Sequence, residues 1–587
     1  MKSIKDFIHL FVSFSDNHTN EQFFWRSIAY TSLFSLFINI LMLAPPLYML
    51  QVYDRVMSSR SQETLLFITL LLVWLFMTLG ALEFVRARIL ARTAFELDHS
   101  LAPHVFTAIH NNALEHPEQA NTQVLQDLAT VRQFLSGNAP FAFFDIPWTP
   151  VYLAILFLFD PLFGWFAIAA ATTLIILAFL NEWSTSKLQK TAAESQQHAS
   201  EMVSASLRNS EIIQALGMKN NLLERWQVEY QQSLLQHIKI TDRSGVFVSL
   251  SKTLRMLFQS LILGLGAYLA INNHITAGMM IAGSIIMGRA LAPIDQSIGA
   301  WKQFTSARTG FQRLHLFLTQ QPVSQPRMTL PAPDGNIQIK NLALIPPGSN
   351  NYALKGITFN LQAGQTLAII GPSAAGKSSL VRALLGLWPS SHGEVRLDNT
   401  EIQHWNRDEL GPHIGYLPQD IELFDGTIAE NIARFGQIDH EKVLLASQQA
   451  GVDIMIRQLP EGYDTTIGTG GAVLSGGQRQ RIGLARALYG QPSLVILDEP
   501  NANLDEQGEL ALNRACQLLK QQNTTLILVS HRKNILSLVD KILVLDEGLL
   551  KLYGPKDDVL NHLMNKVSPI SSTATNNPAE TNNRLAS

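Results

Sequence analysis

The sequence predicts an all-α transmembrane domain of six helices followed by an α/β domain. Three observations support this fold class. The first half holds six long apolar runs, and after about residue 315 the pattern changes to alternating strand and helix signals. A glycine-containing loop, GPSAAGKSSL at 371–380, stands between a strand signal and a helix signal. With 587 residues, the chain is too long for one ordinary core.

Composition excludes several classes of protein. Net charge is −3 and charged residues make up only 16% of the chain, so we expect no nucleic acid or other general polyanion partner. Cys516 is the single cysteine, which excludes an internal disulfide framework and a cysteine-rich metal site. Residues 1–27 lack a small-residue cleavage site and are interpreted as a cytoplasmic N-terminal segment.

Residues 28–310 are predicted to form the six-span domain. A helix needs about 20 mostly apolar residues to cross a bilayer core. Six buried helices of a soluble protein would also be apolar, but the short connections at alternate ends disfavour that alternative. Asp160-Pro161 marks the break between two of the runs. The predicted spans are 28–50, 64–85, 147–159, 161–182, 256–272 and 275–298.

The distribution of Lys and Arg predicts that both termini are cytoplasmic. Most basic residues lie in 1–27, 86–140 and 183–250, and the short loops near 160 and 273 carry none. Arg55 and Arg60 in the loop at 51–63 are an exception.

The two long cytoplasmic connections, 86–140 and 184–245, are rich in helix formers and predict helical hairpins that continue the spans. Gly217 and the Asn-rich stretch HNNALEHPEQANTQ mark the expected turning points.

Charged residues in or beside the spans are costly and often face a cavity. Lys252, Arg255, Arg289 and Asp295 lie in or beside the last two spans. For Lys252 and Arg255, facing a cavity and lying at the cytoplasmic rim, paired within this set of charges, are both open, whereas Arg289 is the better candidate for lining a vestibule. Asp145 precedes Pro147 and is interpreted as a cap of the third span.

Asp54-Arg55 lies at the outer end of the first span. A turn pair and a contact to a partner protein are both open for it.

A proline-rich linker, 311–335, precedes the α/β domain, 336–567, and a polar tail, 568–587, is expected to be disordered. AGQTLAIIGPSAAGKSSLVRALLGL reads as a strand, a loop and an amphipathic helix, the context that the phosphate-loop pattern GxxxxGK[ST] requires. Lys377 would bridge β- and γ-phosphate oxygens, and the Ser378 hydroxyl would ligate Mg²⁺. The predicted phosphate-binding residues are Gly371, Pro372, Ser373, Ala374, Ala375, Gly376, Lys377, Ser378 and Ser379.

Two further strand ends carry polar side chains. LVILDEP is a buried strand that ends in Asp498 and Glu499, and the carboxyl ends of parallel strands are where ligands bind in such sheets. Asp498 is predicted to hold Mg²⁺, and Glu499 to act as general base on the attacking water. TLILVSH ends in His531, which we expect near the γ-phosphate.

LSGGQRQRIGLARAL, 474–488, supplies a second glycine-led helix start, and helix N-termini bind anions. One nucleotide does not need two such starts in one domain. The stretch resembles the signature of ATP-binding-cassette (ABC) ATPases, and the resemblance covers the whole C-terminal domain. It implies ATP and Mg²⁺ as ligands, and it implies that these signature residues meet the nucleotide of a second copy: Ser475, Gly476, Gly477 and Gln478.

By the same resemblance, Gln419 senses Mg²⁺ and Asp505 links the two sites across the dimer. Two positions depart from the family pattern. Pro346 stands where an aromatic residue usually lies under adenine, which leaves Tyr352 as the substitute. Thr469 and Gly470 replace the Glu and Arg that precede many exporter signatures.

Two stretches of the first half resemble type I secretion transporters: PPLYMLQVYDRVMSSRSQETL and FFDIPWTPVYLAILFLFDPLFG. The resemblance implies an ABC exporter type 1 fold and a homodimer in the inner membrane of a Gram-negative bacterium. It also implies export of an unfolded protein with a C-terminal signal, through a periplasmic membrane-fusion adaptor and an outer-membrane channel. The 27 residues before the first span leave no room for the peptidase domain of some relatives.

Alternatives remain open at this stage. An exporter of a lipid, drug or peptide would have the same architecture. A soluble ABC ATPase acting on ribosomes or DNA is disfavoured by the membrane half, and a nucleotide sensor by the presence of Glu499.

The hairpin tips near 115–125 and 209–217 need a binding surface, and we expect them to dock on the ATPase domains near Gln419. Cysteine pairs placed between these tips and the 419–430 segment should therefore form cross-links in membranes, detected as shifted bands on gels. Absence of every cross-link, with pairs inside one hairpin as the positive control, would contradict the docking scheme.

Overall fold

The structure is a computed structural model, and it describes residues 18–116, 122–320, 329–468, 471, 474–530 and 536–567. The chain divides into two compact units with the main boundary between 323 and 324. We call them the helical unit and the α/β unit. The predicted disordered tail, 568–587, lies outside the described residues, as do residues 1–17 of the N-terminal segment.

The helical unit contains ten α-helices of 6 residues or more in the part of the chain that the structure describes. Their bounds are α1 His18–Leu41, α2 Ala44–Gln51, α3 Gln62–Glu115, α4 Gln123–Ser136, α5 Ala139–Asp145, α6 Thr149–Phe159, α7 Pro161–Arg208, α8 Ser210–Ala215, α9 Lys219–Ile271 and α10 Ala277–Gln320. A π-helical segment, Val52–Val56, and a short helical turn, Met57–Ser59, follow α2.

Six helical stretches in the described chain are long and apolar enough to cross a membrane, which agrees with the predicted number. Several extend far beyond a bilayer. Helix α3 has 54 residues, and at about 1.5 Å per residue it spans roughly 80 Å, whereas a bilayer core is about 30 Å thick. The turning points are confirmed: α3 ends at Glu115, and Gly217 has a left-handed φ of 65° between α8 and α9.

Two boundaries differ from the prediction. Helix α1 begins at His18, inside the predicted N-terminal segment, and α10 extends to Gln320, beyond the predicted start of the linker at 311. The reason for the second difference is packing: Phe311, Leu314 and Leu318 follow helical spacing and are buried in a hydrophobic cluster.

Asp145 does not cap the third span. Its carboxylate pairs with Arg86 of α3 at 3.0 Å and accepts a hydrogen bond from the Asn39 amide of α1 at 2.9 Å. Arg86 also donates to the Ser35 hydroxyl, and the Tyr152 hydroxyl of α6 donates to the Asn39 backbone oxygen. Because buried charges need partners, these side chains tie the first three spans together.

Other charges in or beside the spans are also paired. Asp54 accepts hydrogen bonds from the Thr276 hydroxyl at 2.6 Å and the Gly278 amide at 3.0 Å, so it caps the start of α10. Arg255 of α9 pairs with Asp295 of α10 at 3.1 Å, which supports the second of the two interpretations left open for it.

The α/β unit contains two main sheets. A four-stranded antiparallel sheet has the order β2-β1-β4-β5, and a six-stranded sheet has the order β12-β11-β3-β10-β9-β6. β7 and β8 form a separate pair. The strands are β1 Ile337–Leu344, β2 Leu354–Leu361, β3 Thr366–Ile370, β4 His392–Leu397, β5 Thr400–Glu401, β6 Ile414–Leu417, β7 Gly426–Thr427, β8 Thr466–Ile467, β9 Leu494–Asp498, β10 Thr525–Val529, β11 Lys541–Asp546 and β12 Leu549–Pro555.

Helices cover the six-stranded sheet, and every residue of β9 and β10 is buried, as expected for central parallel strands. The helices are α11 Lys377–Leu384, α12 Arg407–Leu410, α13 Ile428–Ile432, α14 His440–Gln449, α15 Asp453–Arg457, α16 Gly476–Leu488, α17 Glu506–Gln521 and α18 Lys556–Val567.

Candidate functional site

The candidate site lies at the carboxyl edge of the six-stranded sheet. β10 pairs in parallel with β3 on one side and β9 on the other, and β6 pairs in parallel with β9. In this register Val529 lies opposite both Ile369 and Asp498. Parallel pairing therefore brings the ends of four strands to one edge, and the predicted site residues follow those ends.

The phosphate loop, 371–376, joins β3 to α11 and has a backbone that most residues cannot adopt. Gly371 and Gly376 have φ values of 157° and 98°. A Cβ at Gly371 would lie 2.1 Å from the Leu545 backbone oxygen, and one at Gly376 would lie 2.7 Å from the Ala353 oxygen. The close approach of these backbones explains why glycine is required at both positions.

Lys377 is folded over this loop. Its ammonium donates to the backbone oxygens of Gly371 at 2.9 Å and Pro372 at 2.8 Å, and the residue is buried. Burial lowers the pKa of Lys377, while Glu499 and Asp498 act to raise it. A bound phosphate would add negative charge beside this ammonium and favour its charged form.

Asp498 ends β9 and is 4% exposed. Burial raises its pKa, the Ser378 hydroxyl lowers it by hydrogen bonding, and Glu499 raises it further. The structure thus brings Ser378 and Asp498 together, as predicted from their positions at a helix start and a strand end.

Glu499 and Gln419 also meet. The Gln419 amide nitrogen donates to the Glu499 carboxylate at 3.1 Å, although the two residues follow different strands. Glu499 has a left-handed φ of 48°, which is rare for a residue with a side chain, and its amide donates to the Val529 oxygen at 3.0 Å. Backbone strain of this kind is concentrated at functional sites.

The signature segment is a well-capped helix start. The Ser475 hydroxyl accepts from the Gln478 amide, and the Gln478 side-chain oxygen accepts from the Ser475 amide at 2.8 Å, a reciprocal capping box. A Cβ at Gly477 would lie 2.9 Å from the Asn503 oxygen, whereas one at Gly476 meets nothing closer than 3.7 Å. Among the described residues, no hydrogen bond joins this segment to residues 371–379.

Three buried or capping contacts complete the site, and two of them were missed from the sequence. Gln480, 1% exposed, donates to the Pro500 oxygen at 2.7 Å and so links α16 to the turn after Glu499. Asn431 bonds both backbone groups of Phe424 and shapes the segment after Gln419. A polar residue on the apolar face of a helix is the signal that could have revealed Gln480. Asp505 caps α17 through the Gly508 amide at 2.8 Å.

Some predicted residues lie outside the described part of the chain: His531, Thr469 and Gly470. Tyr352 is described and 47% exposed. It precedes Ala353, whose backbone oxygen abuts the phosphate loop at Gly376.

The residues present fit a nucleotide with Mg²⁺. Magnesium takes oxygen ligands and is held in nucleotide sites by one or two carboxylates together with phosphates. Ser378, Asp498 and Gln419 offer hydroxyl, carboxylate and amide oxygens at one sheet edge. Among the described residues there is no cluster of three or more His, Cys, Asp or Glu suited to a metal held by protein alone.

Comparison with known families gives two matches. The family model described as ABC transporter matches residues 354–502, and the one described as ABC transporter transmembrane region matches residues 28–291. Both descriptions name an ABC transporter, one for each half of the chain.

Two relatives align over most of the chain. The type I secretion system ATP-binding protein PrsD of Rhizobium meliloti (strain 1021) is 42% identical over 90% of this chain and 91% of its own length. The leukotoxin translocation ATP-binding protein LktB of a Pasteurella haemolytica-like species (strain 5943B) is 27% identical over 91% of this chain and 76% of its own.

A solved structure of a bacterial Atm1-family ABC exporter with ATP bound has a TM-score of 0.80 to this chain, covering 93% of it and 99% of the exporter chain. Sequence identity is 22%, so this likeness shows the fold alone.

The loop geometry yields a prediction with a matched control. Gly376→Ala should weaken nucleotide binding about tenfold or more, because a sparsely populated backbone conformation costs roughly 1–3 kcal/mol and the new Cβ would meet the Ala353 oxygen. Ala374, whose φ is 64°, is the control: Ala374→Gly removes strain and should retain binding. Titration with a fluorescent ATP analogue measures both, and unchanged affinity in Gly376→Ala would contradict the assigned loop conformation.

Proposed function

The chain belongs to the ABC transporter family, within its type I secretion ATP-binding proteins, and we propose that two copies of it export an unfolded protein across the inner membrane of a Gram-negative bacterium. ATP hydrolysis by the α/β unit is coupled to this transport. The observation that carries the proposal is the 42% identity to PrsD, which extends over 90% of the chain and so includes the membrane half.

At each site we propose that the phosphate loop, Lys377 and the first turn of α11 hold the phosphates. Mg²⁺ held by Ser378, Asp498 and Gln419 would neutralise charge that develops on the transferred phosphoryl group. Glu499 is the proposed general base, positioned by its strained backbone and by Gln419 at 3.1 Å. His531 is assigned to the γ-phosphate from its place after β10, and Tyr352 to adenine.

A second copy is needed because one α/β unit has two anion-binding helix starts, at Lys377 and at Gly476. We propose that Ser475, Gly476, Gly477 and Gln478 of one copy close over the nucleotide of the other. Asp505, at the start of α17, would link the two sites.

The proposed topology has both termini in the cytoplasm, with residues 1–27 as a cytoplasmic segment and the linker after Gln320 leading into the ATPase domain. A periplasmic membrane-fusion adaptor and an outer-membrane channel would complete the path. Arg289, half-buried in α10, is the proposed vestibule residue. The secreted protein is expected to carry a C-terminal signal.

The substrate class is tested by comparing the extracellular proteins of a strain without this gene and strains complemented with the wild type or Glu499→Gln. At least one extracellular protein should be restored by the wild type and not by Glu499→Gln, which should bind ATP but hydrolyse almost none. Loss of a lipid, drug or peptide phenotype with an unchanged set of secreted proteins would favour the alternative exporter and overturn the proposal.

If each ATP site combines the phosphate loop of one copy with the signature of the other, mixed dimers test it. Two copies with different affinity tags are purified together, and the ATPase activity of the mixed dimer is measured. With Lys377→Ala in one copy and Gly477→Asp in the other, one complete site remains, and about half of the wild-type rate is the upper limit. With both substitutions in the same copy and a wild-type partner, both sites are broken and activity should be nearly lost. The reverse pattern would show that each site is complete within one chain.

A further inference from the structure

The first cytoplasmic hairpin and the last helix of the helical unit share a hydrophobic core outside the predicted spans. Three helices contribute buried apolar side chains to this cluster: Leu97, Leu101, Val105 and Ala108 from α3, Leu128 and Val131 from α4, and Phe311, Leu314 and Leu318 from α10. Helix α10 is also the helix that runs from the sixth span towards the linker of the ATPase domain.

An ion pair between a buried carboxylate and a half-exposed arginine joins α4 to α10 beside this core: the Arg313 side chain is 47% exposed and that of Asp127 is 3% exposed. Asp127 is 2% exposed, and its two carboxylate oxygens accept from Arg313: one from Nε at 2.8 Å and the other from Nη2 at 2.5 Å. The Gln123 amide adds a third hydrogen bond to the same carboxylate at 3.2 Å. The two helices are in contact at Gly310, where an added Cβ would lie 3.4 Å from two Asp127 oxygens, an ordinary van der Waals distance.

A second ion pair on α4 has a less buried carboxylate. Arg132 pairs with Asp98 of α3 at 2.9 Å; the Arg132 side chain is 48% exposed, much like Arg313, but Asp98 is 23% exposed against 3% for Asp127. Exposed pairs contribute little, whereas a bidentate pair with a buried carboxylate cannot be opened without leaving an uncompensated charge. Opening the Asp127–Arg313 pair therefore costs more than opening the Arg132–Asp98 pair, because it leaves a buried carboxylate without its guanidinium partner.

We propose that the Asp127–Arg313 pair makes the first hairpin and α10 one rigid body, so that displacement of the ATPase domain is transmitted to the sixth span. Arg313 is then a positioning residue for transport rather than a catalytic one. The effect on transport rests on the proposed export function. The rigidity of the contact between α4 and α10 can be measured whether or not the chain exports a protein.

The mechanical test uses spin labels at two exposed positions, Gln133 on α4 and Arg308 on α10, with Cys516 replaced to leave no other thiol. In full-length protein in lipid nanodiscs, their distance distribution should be the same without nucleotide and with ATP trapped by Glu499→Gln. Arg313→Ala should broaden it or make it depend on nucleotide. A wild-type distance that shifts with ATP would overturn the proposal, whether or not the chain exports a protein.

The transport test compares export with ATP hydrolysis in the same variants. Arg313→Ala should lower the amount exported per ATP hydrolysed by roughly tenfold, a size typical of coupling between sites, while hydrolysis by the folded, purified protein persists. Arg313→Lys keeps the charge but not the bidentate geometry and should recover part of the ratio. Arg132→Ala, which breaks the exposed pair, is the control and should leave the ratio unchanged. An unchanged ratio in Arg313→Ala would overturn the proposal.

A disulfide in place of the ion pair tests whether its role is to hold α4 against α10 or depends on the charges themselves. This test can also be made if Arg313→Ala fails to fold. Positions 310 and 127 are in van der Waals contact, because a Cβ at 310 would lie 3.5 Å from the Asp127 Cα, so two cysteines placed there are the pair to test for a cross-link. Asp127→Cys alone should lose coupling, and Asp127→Cys with Gly310→Cys should regain it when oxidised and lose it again on reduction. Loss of export on oxidation would show that the two helices must separate during the cycle, contrary to the proposal.

Discussion

In-register pairing of four parallel strands is the constraint on which the nucleotide site depends. β3, β10, β9 and β6 end at the same level, so the phosphate loop, the turn after Val529, the Asp498-Glu499 pair and Gln419 begin at one sheet edge. Because side chains alternate along a strand, a slip of one residue in β9 would turn Asp498 to the opposite face and away from Ser378. The all-buried strands β9 and β10 hold that register, since each is packed on both faces.

Much of this arrangement could be predicted from the sequence because its signals are local. Six apolar runs, a strand-loop-helix around Lys377, and the strand ending in Asp498 each occupy one short stretch. The partners of Asp145 and Asp54 could not be predicted, because they come from residues far away in the chain, Arg86 and Gly278. The linker boundary failed for a related reason: residues 311–320 are helical because they pack on a distant hairpin.

The polar contacts of the helical unit follow one physical rule. A charge near a bilayer is costly, so Arg86, Arg255 and Asp54 each contact a group from another helix. Such contacts fix which helices are neighbours and at what level they meet. Helices α3 and α10 then carry that arrangement beyond the bilayer-length segments, although each contains one internal proline, Pro103 and Pro293, that cannot donate a backbone hydrogen bond. The sequence shows the charges and the apolar runs, but the choice of partner depends on the assembled bundle.

The capping box of the signature explains how the start of α16 can take its shape before any ligand binds. It employs the Ser475 oxygen and the Gln478 carbonyl oxygen as acceptors, and thereby fixes the first turn of α16 without any ligand. A hydroxyl also has one proton to donate and a glutamine amide has two, and neither kind of proton takes part in the capping box. The capping box therefore uses only the oxygen acceptors of Ser475 and Gln478. It leaves their hydroxyl and side-chain amide protons available to an anionic phosphate. Gly477, where an added Cβ would lie 2.9 Å from the Asn503 oxygen, and Gln480, which donates to the Pro500 oxygen, then join this helix start to the turn that follows Glu499.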